Sequence, residues 1–149
     1  MSDINVEELT VRRLSPAEFK FVEHKLYTYP VNQQVVKELD FERESIIDSS
    51  PQLSEGPSHT VSKSTSQTER KALRLVLLEE KAEREIVWIR AIDDVMQVLS
   101  EEYKCLVERK YWKQMTNSEV AASLCISESS FKRRRQRVIW MMANRFGLI

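Results

Sequence analysis

The chain has 149 residues, 42% of them hydrophobic, and its 23 Lys and Arg balance 23 Asp and Glu. This length predicts one domain, or a small domain with an appendage, and the zero net charge excludes a polycation. The two cysteines have no Cys or His at metal-ligand spacing, so we expect no disulfide framework, metal or cofactor. Residues 1–10 are polar and acidic and the apolar runs are short, which predicts a cytoplasmic protein without a membrane segment.

The first 50 residues predict a helical hairpin. The segment SPAE at residues 15–18 is a capping box that carries proline at the first helical position. Apolar residues follow at helical spacing up to Pro30, which should end or kink the helix because proline lacks a backbone N–H. A second helix is expected from about residue 32 to about residue 48.

Residues 51–67 predict a flexible linker, because Ser, Pro and Gly dominate this segment. A helical pattern resumes near Thr68, continues to Leu99 and opens the third predicted segment, residues 68–149. The favoured interpretation is a long helix packed against the N-terminal hairpin. Its broad apolar stripe leaves a homodimer interface along this helix as an alternative.

Capping residues divide the C-terminal part into short helices. Ser100 precedes a predicted helix over residues 101–112, with two glutamates in its first turn. Either Thr116 or Asn117 then caps the next short helix, since Glu119 stands where a capping box needs its acidic residue.

A helix-turn-helix is predicted where this short helix meets the following one. The short helix ends near Leu124, the turn falls at Cys125 and Ile126, and Ser127 caps the second helix. Ala121 is small where the two helices cross, and a larger residue there would push them apart. In this arrangement the second helix projects and can enter a groove of DNA.

Positive charge is concentrated on that second helix. From residue 103 onward 10 Lys and Arg stand against 3 Asp and Glu, and five of the six residues from Lys132 to Arg137 are cationic. A localised basic surface on a neutral protein indicates one anionic partner. A solvated helix face and a nuclear localisation signal are the alternatives, and the preceding helix-turn-helix favours nucleic acid over both.

The outer face of the second helix carries the predicted contacts with DNA, whereas Phe131 faces inward. Small polar side chains suit close approach to base edges, and Lys and Arg suit phosphates, with Arg also able to read guanine. Arg134 stands where such motifs usually have an aliphatic residue, and its apolar stem should let the charge reach a phosphate. The predicted DNA-binding residues are Thr116, Asn117, Ser127, Glu128, Ser129, Ser130, Lys132, Arg133, Arg135, Gln136 and Arg137.

An enzyme is not predicted. His24 and His59 are far apart in the sequence and lack a partnered nucleophile or carboxylate. Asp93 and Asp94 are neighbours in a helical pattern, where adjacent residues point in different directions. No Gly-rich phosphate loop is present in the sequence.

Two segments resemble phage and prophage transcriptional regulators of the ArpU and RinA type, which are similar to region 4 of bacterial sigma factors. The first is LSEEYKCLVERKYWKQMTNSEVAASLCISESSFKRRRQRVIWMMANRFG, residues 99–147. Its matching residues are Leu99, Tyr103, Leu106, Glu108, Tyr111 and Trp112. The second is VEHKLYTYPVNQQVVKELDFERESIIDSSP, residues 22–51, with its tyrosine-proline and isoleucine-rich end.

The resemblance implies a helix-turn-helix regulator of late or lytic phage genes that binds double-stranded DNA and can contact bacterial RNA polymerase. Arg134 and Cys125 depart from the family pattern, which has an apolar residue and a glycine at these positions. Two other hypotheses stay open: a small terminase subunit that packages phage DNA as a ring, and a helical adaptor whose basic helix meets an acidic protein.

Overall fold

The computed structural model describes residues 13–48 and 61–149, with side chains for residues 13–45 and 66–149. Its helices are α1 (Pro16–Asp48), α2 (Val61–Val98), α3 (Glu101–Val107), α4 (Asn117–Ser123) and α5 (Glu128–Phe146), and a π-helical turn at Glu108–Trp112 continues α3. No strand occurs within the described ranges, so the all-α prediction is confirmed. No helix in that part of the chain is long and apolar enough to cross a membrane.

Helix α1 is continuous and contains Pro30 in its interior. Its start is the capping box, in which the Ser15 N–H donates to Glu18 Oε1 at 3.4 Å and the Glu18 N–H donates to Ser15 Oγ at 3.2 Å. The predicted helix end at Pro30 is wrong, and the expected N-terminal hairpin is a single helix. Proline removes one backbone hydrogen bond, but Leu26 before it and Leu39 after it are both buried, and this burial favours an uninterrupted helix.

Helix α2 begins earlier than the sequence pattern indicates. Of the predicted linker at residues 51–67, residues 51–60 lie outside the described part of the chain. Residues 61–67 are helical, although they were expected to belong to the linker. This stretch contains no glycine or proline, so nothing in it prevents the helix from extending toward its N-terminus.

The contacts divide the chain into two compact units. One contains residues 13–28 and 91–149 and is called the helix-turn-helix unit, and the other contains residues 29–48 and 61–90 and is called the two-helix unit. The division therefore runs through α1 and α2 rather than between them.

The core of the helix-turn-helix unit joins segments that are far apart in sequence. Tyr27 of α1 meets Tyr111 edge to face with ring centroids 4.9 Å apart, and Phe21 meets Phe146 in the same way at 6.5 Å. The completely buried side chains around them are Val22, Leu26, Leu106, Val107, Val120, Phe131, Val138, Ile139 and Met142. The first part of α1 is thus built into this core.

A partly buried hydrogen bond accompanies that packing. The Tyr111 hydroxyl donates to Glu23 Oε2 at 2.8 Å. Burial raises the pKa of Tyr111 well above its usual value, and the charge and hydrogen bond of Glu23 raise it further. Tyr111 lies in the π-helical turn, where the Lys113 N–H donates to the Glu108 carbonyl at 2.8 Å.

The two-helix unit pairs the second part of α1 with α2 in antiparallel orientation. Asn32 Nδ2 donates to Glu85 Oε2 at 2.9 Å, and Arg43 forms an ion pair with Glu79 at 3.2 Å. The buried apolar residues of this unit are Tyr29, Leu39, Ala82 and Ile89. The predicted packing of the long helix against the N-terminal segment is present here, with one helix in place of a hairpin.

Because Tyr111 donates a hydrogen bond to Glu23 and holds its proton in the fold, the free energy of unfolding should fall at alkaline pH. Tyr111→Phe should lower the free energy of unfolding by about 1–2 kcal/mol at neutral pH, because Glu23 loses a buried partner. As the pH rises above about 10, the unfolded chain releases the tyrosine proton and the folded chain retains it, so the wild type loses about 1.4 kcal/mol per pH unit through this group. Urea unfolding of both proteins at several pH values measures this.

The difference in stability between wild type and Tyr111→Phe should therefore narrow above pH ~10. Tyr103→Phe is the matched control, because the Tyr103 hydroxyl only accepts a long, exposed hydrogen bond from Arg137 at 3.4 Å. A constant difference across the alkaline range would show that Tyr111 does not stay protonated in the fold.

Candidate nucleic-acid interface

Helix α4 starts with a complete capping box, which decides between the two predicted caps. The Thr116 N–H donates to Glu119 Oε2 at 2.9 Å, and the Glu119 N–H donates to Thr116 Oγ1 at 3.3 Å. Thr116 is therefore the N-cap, and Asn117 is the first helical residue. Asn117 is half-buried, and its Oδ1 is buried without a hydrogen-bond partner among the described residues.

A small apolar cluster packs between α4 and α5 where the two helices cross. Leu106, Val120, Ala121 and Phe131 form its buried centre, and Met115, Leu124 and Ile126 pack against it. Ala121 is 3% exposed, as expected for a small residue where two helices cross. Phe131 faces inward, as the periodicity predicts.

The turn between α4 and α5 is a Schellman motif with Cys125 at its left-handed position. Cys125 has φ 56°, its N–H donates to the Ala122 carbonyl at 3.1 Å, and the Ile126 N–H donates to the Ala121 carbonyl at 3.0 Å. The Cys125 side chain is exposed. Cysteine thus occupies a backbone conformation that glycine adopts without steric cost.

The start of α5 presents small polar side chains. Ser127 is the N-cap, and its Oγ accepts from the Ser130 N–H at 3.2 Å. Ser118 Oγ of α4 donates to Glu128 Oε1 at 2.7 Å, so Glu128 joins the two helices. Ser127, Glu128 and Ser129 are exposed, and Ser130 is half-buried.

The basic run separates into an exposed group and an internally bound group. Lys132, Arg133, Gln136 and Arg137 are exposed, whereas Arg134 and Arg135 are half-buried. Arg133 Nη2 also donates to Ser130 Oγ at 3.3 Å, which directs it along the N-terminal end of α5.

Arg134, the departure from the family pattern, lies against α3. Its Nη1 forms an ion pair with Glu102 Oε2 at 2.9 Å, and its guanidinium lies 6.0 Å from the centroid of the Tyr103 ring. Among the described residues its anionic partner is Glu102, and the expectation that its charge reaches a phosphate stays a prediction.

Arg135 lies between two aromatic rings. Its guanidinium carbon is 5.4 Å from the centroid of Phe19 and 5.7 Å from that of Phe131, within the range of cation–π attraction. Its Nε is buried without a hydrogen-bond partner among the described residues. The side chain therefore joins the start of α1 to α5.

Three side chains that hold this site were not foreseen from the sequence: Phe19, Glu102 and Arg109. Arg109 Nη1 donates to the Ser123 carbonyl at 3.1 Å and to Ser123 Oγ at 3.0 Å, which satisfies the C-terminal end of α4. None of the three has a local signal, because each partner is distant in sequence. Within the described residues no cluster of His, Cys, Asp or Glu could hold a metal ion.

The left-handed conformation of Cys125 predicts opposite effects for two substitutions. Cys125→Gly should raise the free energy of unfolding by about 0.5–1 kcal/mol, because the steric cost of the conformation disappears and no packed side chain is lost. Cys125→Val should lower it by about 1 kcal/mol or more, since a β-branched side chain fits this conformation poorly. Urea unfolding midpoints measure both, and equal midpoints for the two variants would contradict the assigned turn.

A protein-family model matches the part of the chain that contains this site. The family model for Sigma-70, region 4 matches residues 89–142, from the end of α2 into α5. No curated protein and no solved structure matches the chain. The predicted similarity to region 4 of sigma factors is confirmed, and the finer resemblance to ArpU- and RinA-type regulators stays a prediction. Residues 89–142 are therefore similar to region 4 of sigma-70 factors, and they include α4 and most of α5, which form the helix-turn-helix.

Proposed function

We propose that the chain is a sequence-specific DNA-binding transcriptional regulator that places residues 127–137 in the major groove. One observation carries this proposal: the N-terminal half of α5 projects an exposed polar and cationic face from a helix-turn-helix inside the matched region. A major groove admits an α-helix, and the N-terminal residues of a recognition helix are the ones that reach base edges.

The exposed residues of α5 lie on one helical stripe. Ser129, Lys132, Arg133 and Gln136 follow the spacing i, i+3, i+4 and i+7, and all four are exposed. Arg133 can bind guanine through two hydrogen bonds and Gln136 can bind adenine, while Lys132 and Arg137 suit phosphates. Thr116 and Asn117, at the start of α4, suit a backbone contact where a helix N-terminus approaches a phosphate.

Arg135 has a different role in this proposal, although it belongs to the same basic run. It shares the inward stripe of α5 with Phe131, Val138 and Met142, and its charge faces the Phe19 ring rather than solvent. Arg135 is therefore a positioning residue, which sets the orientation of α5 through α1.

The regulatory role is a finer part of the proposal. The quoted resemblance to ArpU- and RinA-type regulators supports activation of late genes of a phage or prophage in the bacterial cytoplasm. Contact with RNA polymerase is proposed on the same ground, since the matched domain is a part of sigma factors.

Salt dependence separates the proposed DNA contacts from the positioning contact. Lys132→Ala should weaken binding to the target duplex and reduce the slope of log K against log salt by about 0.9, because one proposed phosphate contact is lost. Arg133→Ala should also weaken binding, because a proposed contact with guanine is lost. Arg135→Met and Phe19→Ala should weaken binding with an unchanged slope, because neither side chain meets DNA. Fluorescence anisotropy over a salt series measures this.

Arg145→Ala is the matched control, because Arg145 is an exposed cation of α5 that pairs with Asp94 away from the proposed interface. Unchanged binding by a folded Arg133→Ala would refute the assigned face. A slope reduced by about 0.9 in Arg135→Met would show that Arg135 contacts a phosphate and would overturn its positioning role.

The DNA target can be identified by incubating the full chain with fragments of phage and host genomic DNA and sequencing the fragments that it binds. We expect enrichment of a promoter region. Absence of any duplex binding at low salt would overturn the proposal and favour the adaptor hypothesis, in which the basic helix binds an acidic protein.

A further inference from the structure

Glu128 is the one acidic residue in the part of the chain that is proposed to enter the major groove. Residues 127–137 contain five cations and this single carboxylate. The Glu128 side chain is exposed. A negative charge on this face repels the phosphates of every duplex, whatever the sequence, so it lowers the affinity for unrelated DNA. The carboxylate can favour binding only where it contacts a particular base.

The carboxylate of Glu128 is held toward α4. Ser118 Oγ donates to Glu128 Oε1 at 2.7 Å, and this bond joins the first turns of the two helices. Lys132 stands four residues later, at the spacing of a helical ion pair, yet Glu128 pairs with no cation among the described side chains. The negative charge is therefore not neutralised within the described protein, and one of the two carboxylate oxygens is engaged.

The start of a helix attracts negative charge, and Glu128 lies in the first turn of α5. This attraction acts on an acidic residue on any side of the first turn, so it does not explain why the carboxylate is held at one place. Glu128 lies four residues before Lys132 and thus on nearly the same side of α5, beside the exposed stripe that begins at Ser129. The bond from Ser118 fixes the carboxylate at this edge of the proposed interface.

An ionised carboxylate only accepts hydrogen bonds, so in a groove of DNA it can bind only a donor. In the major groove guanine and thymine present acceptors, whereas cytosine presents its N4 amino group and adenine its N6 amino group. Adenine also presents the acceptor N7 beside N6, and this acceptor repels a carboxylate. From this chemistry and placement we infer that Glu128 is a specificity-determining residue that selects cytosine. The inference rests on the proposed function, because it requires α5 in the major groove.

Ser118 is the positioning residue for this contact. A glutamate that moves freely loses side-chain freedom when it binds a base, and this loss opposes binding. Because Ser118 binds Glu128 Oε1, the carboxylate is already restricted before DNA arrives, and Oε2 is left to accept from the cytosine amino group. Ser118 itself has no need to touch the DNA.

Parallel selection from a pool of random-sequence duplexes tests this inference, with the full wild-type chain and full-length variants. The wild type should select a sequence in which one position near the start of α5 is cytosine. Glu128→Gln should select the same sequence except at that position, where the preference for cytosine should fall by about tenfold or more. Glutamine keeps the shape of the side chain and the acceptor for Ser118, but it also donates, so it no longer excludes guanine and thymine.

Asp94→Asn is the matched control. It also removes one negative charge from the helix-turn-helix unit, but Asp94 pairs with Arg145, which lies about 25 Å along α5 from Glu128. The sequence selected by this variant should be that of the wild type. Ser118→Ala should lower the preference for cytosine at the same position by about threefold, and Ser118→Thr should restore it, because threonine keeps the hydroxyl.

Two results would overturn the inference and leave the proposed DNA binding standing. One is a Glu128→Gln selection that equals that of the wild type at every position. The other is an equal loss of preference at all positions, since this would show that Glu128 acts only by holding the two helices together. A wild type that selects no preferred sequence would overturn the proposed function and this inference together.

Discussion

The contact between the start of α1 and the C-terminal helices is the constraint on which the helix-turn-helix unit depends. Tyr111 lies at its centre: the ring packs on Tyr27, and the buried hydroxyl donates to Glu23, which is half-buried. A buried polar pair costs stability unless both members are satisfied, so the pair also fixes how α1 approaches. Helix α5 is held from the same side, through Arg135 and Phe19.

The region that matches sigma-70 region 4 does not contain all of this unit. Residues 89–142 supply α3, α4 and most of α5, whereas Glu23 and Phe19 lie in α1. The N-terminal segment therefore completes the core of a domain that begins much later in the chain. This gives residues 16–28 a structural reason to be helical, independent of any partner.

The features that were predictable from the sequence are those with local causes. The capping residues Ser15, Thr116 and Ser127, the small Ala121 and the inward Phe131 all follow from spacing along one helix. The features that the sequence did not predict have non-local causes. Burial on both sides of Pro30 keeps α1 continuous, and Glu102, which is distant in sequence, captures Arg134. Helical periodicity shows which face of its helix a residue occupies, but it does not show which residue of another helix it contacts.

Only some cations of the basic run are free of partners inside the protein, and their number bears on binding to non-specific DNA. Non-specific affinity grows with the number of phosphates that cations neutralise, and it sets how much protein is held on irrelevant DNA. Arg134 is neutralised by Glu102 and Arg135 is held between two rings, so the helix presents fewer mobile charges than its sequence contains. Under the proposed function, fewer free cations on α5 weaken binding to non-specific DNA, and the ratio of specific to non-specific occupancy rises.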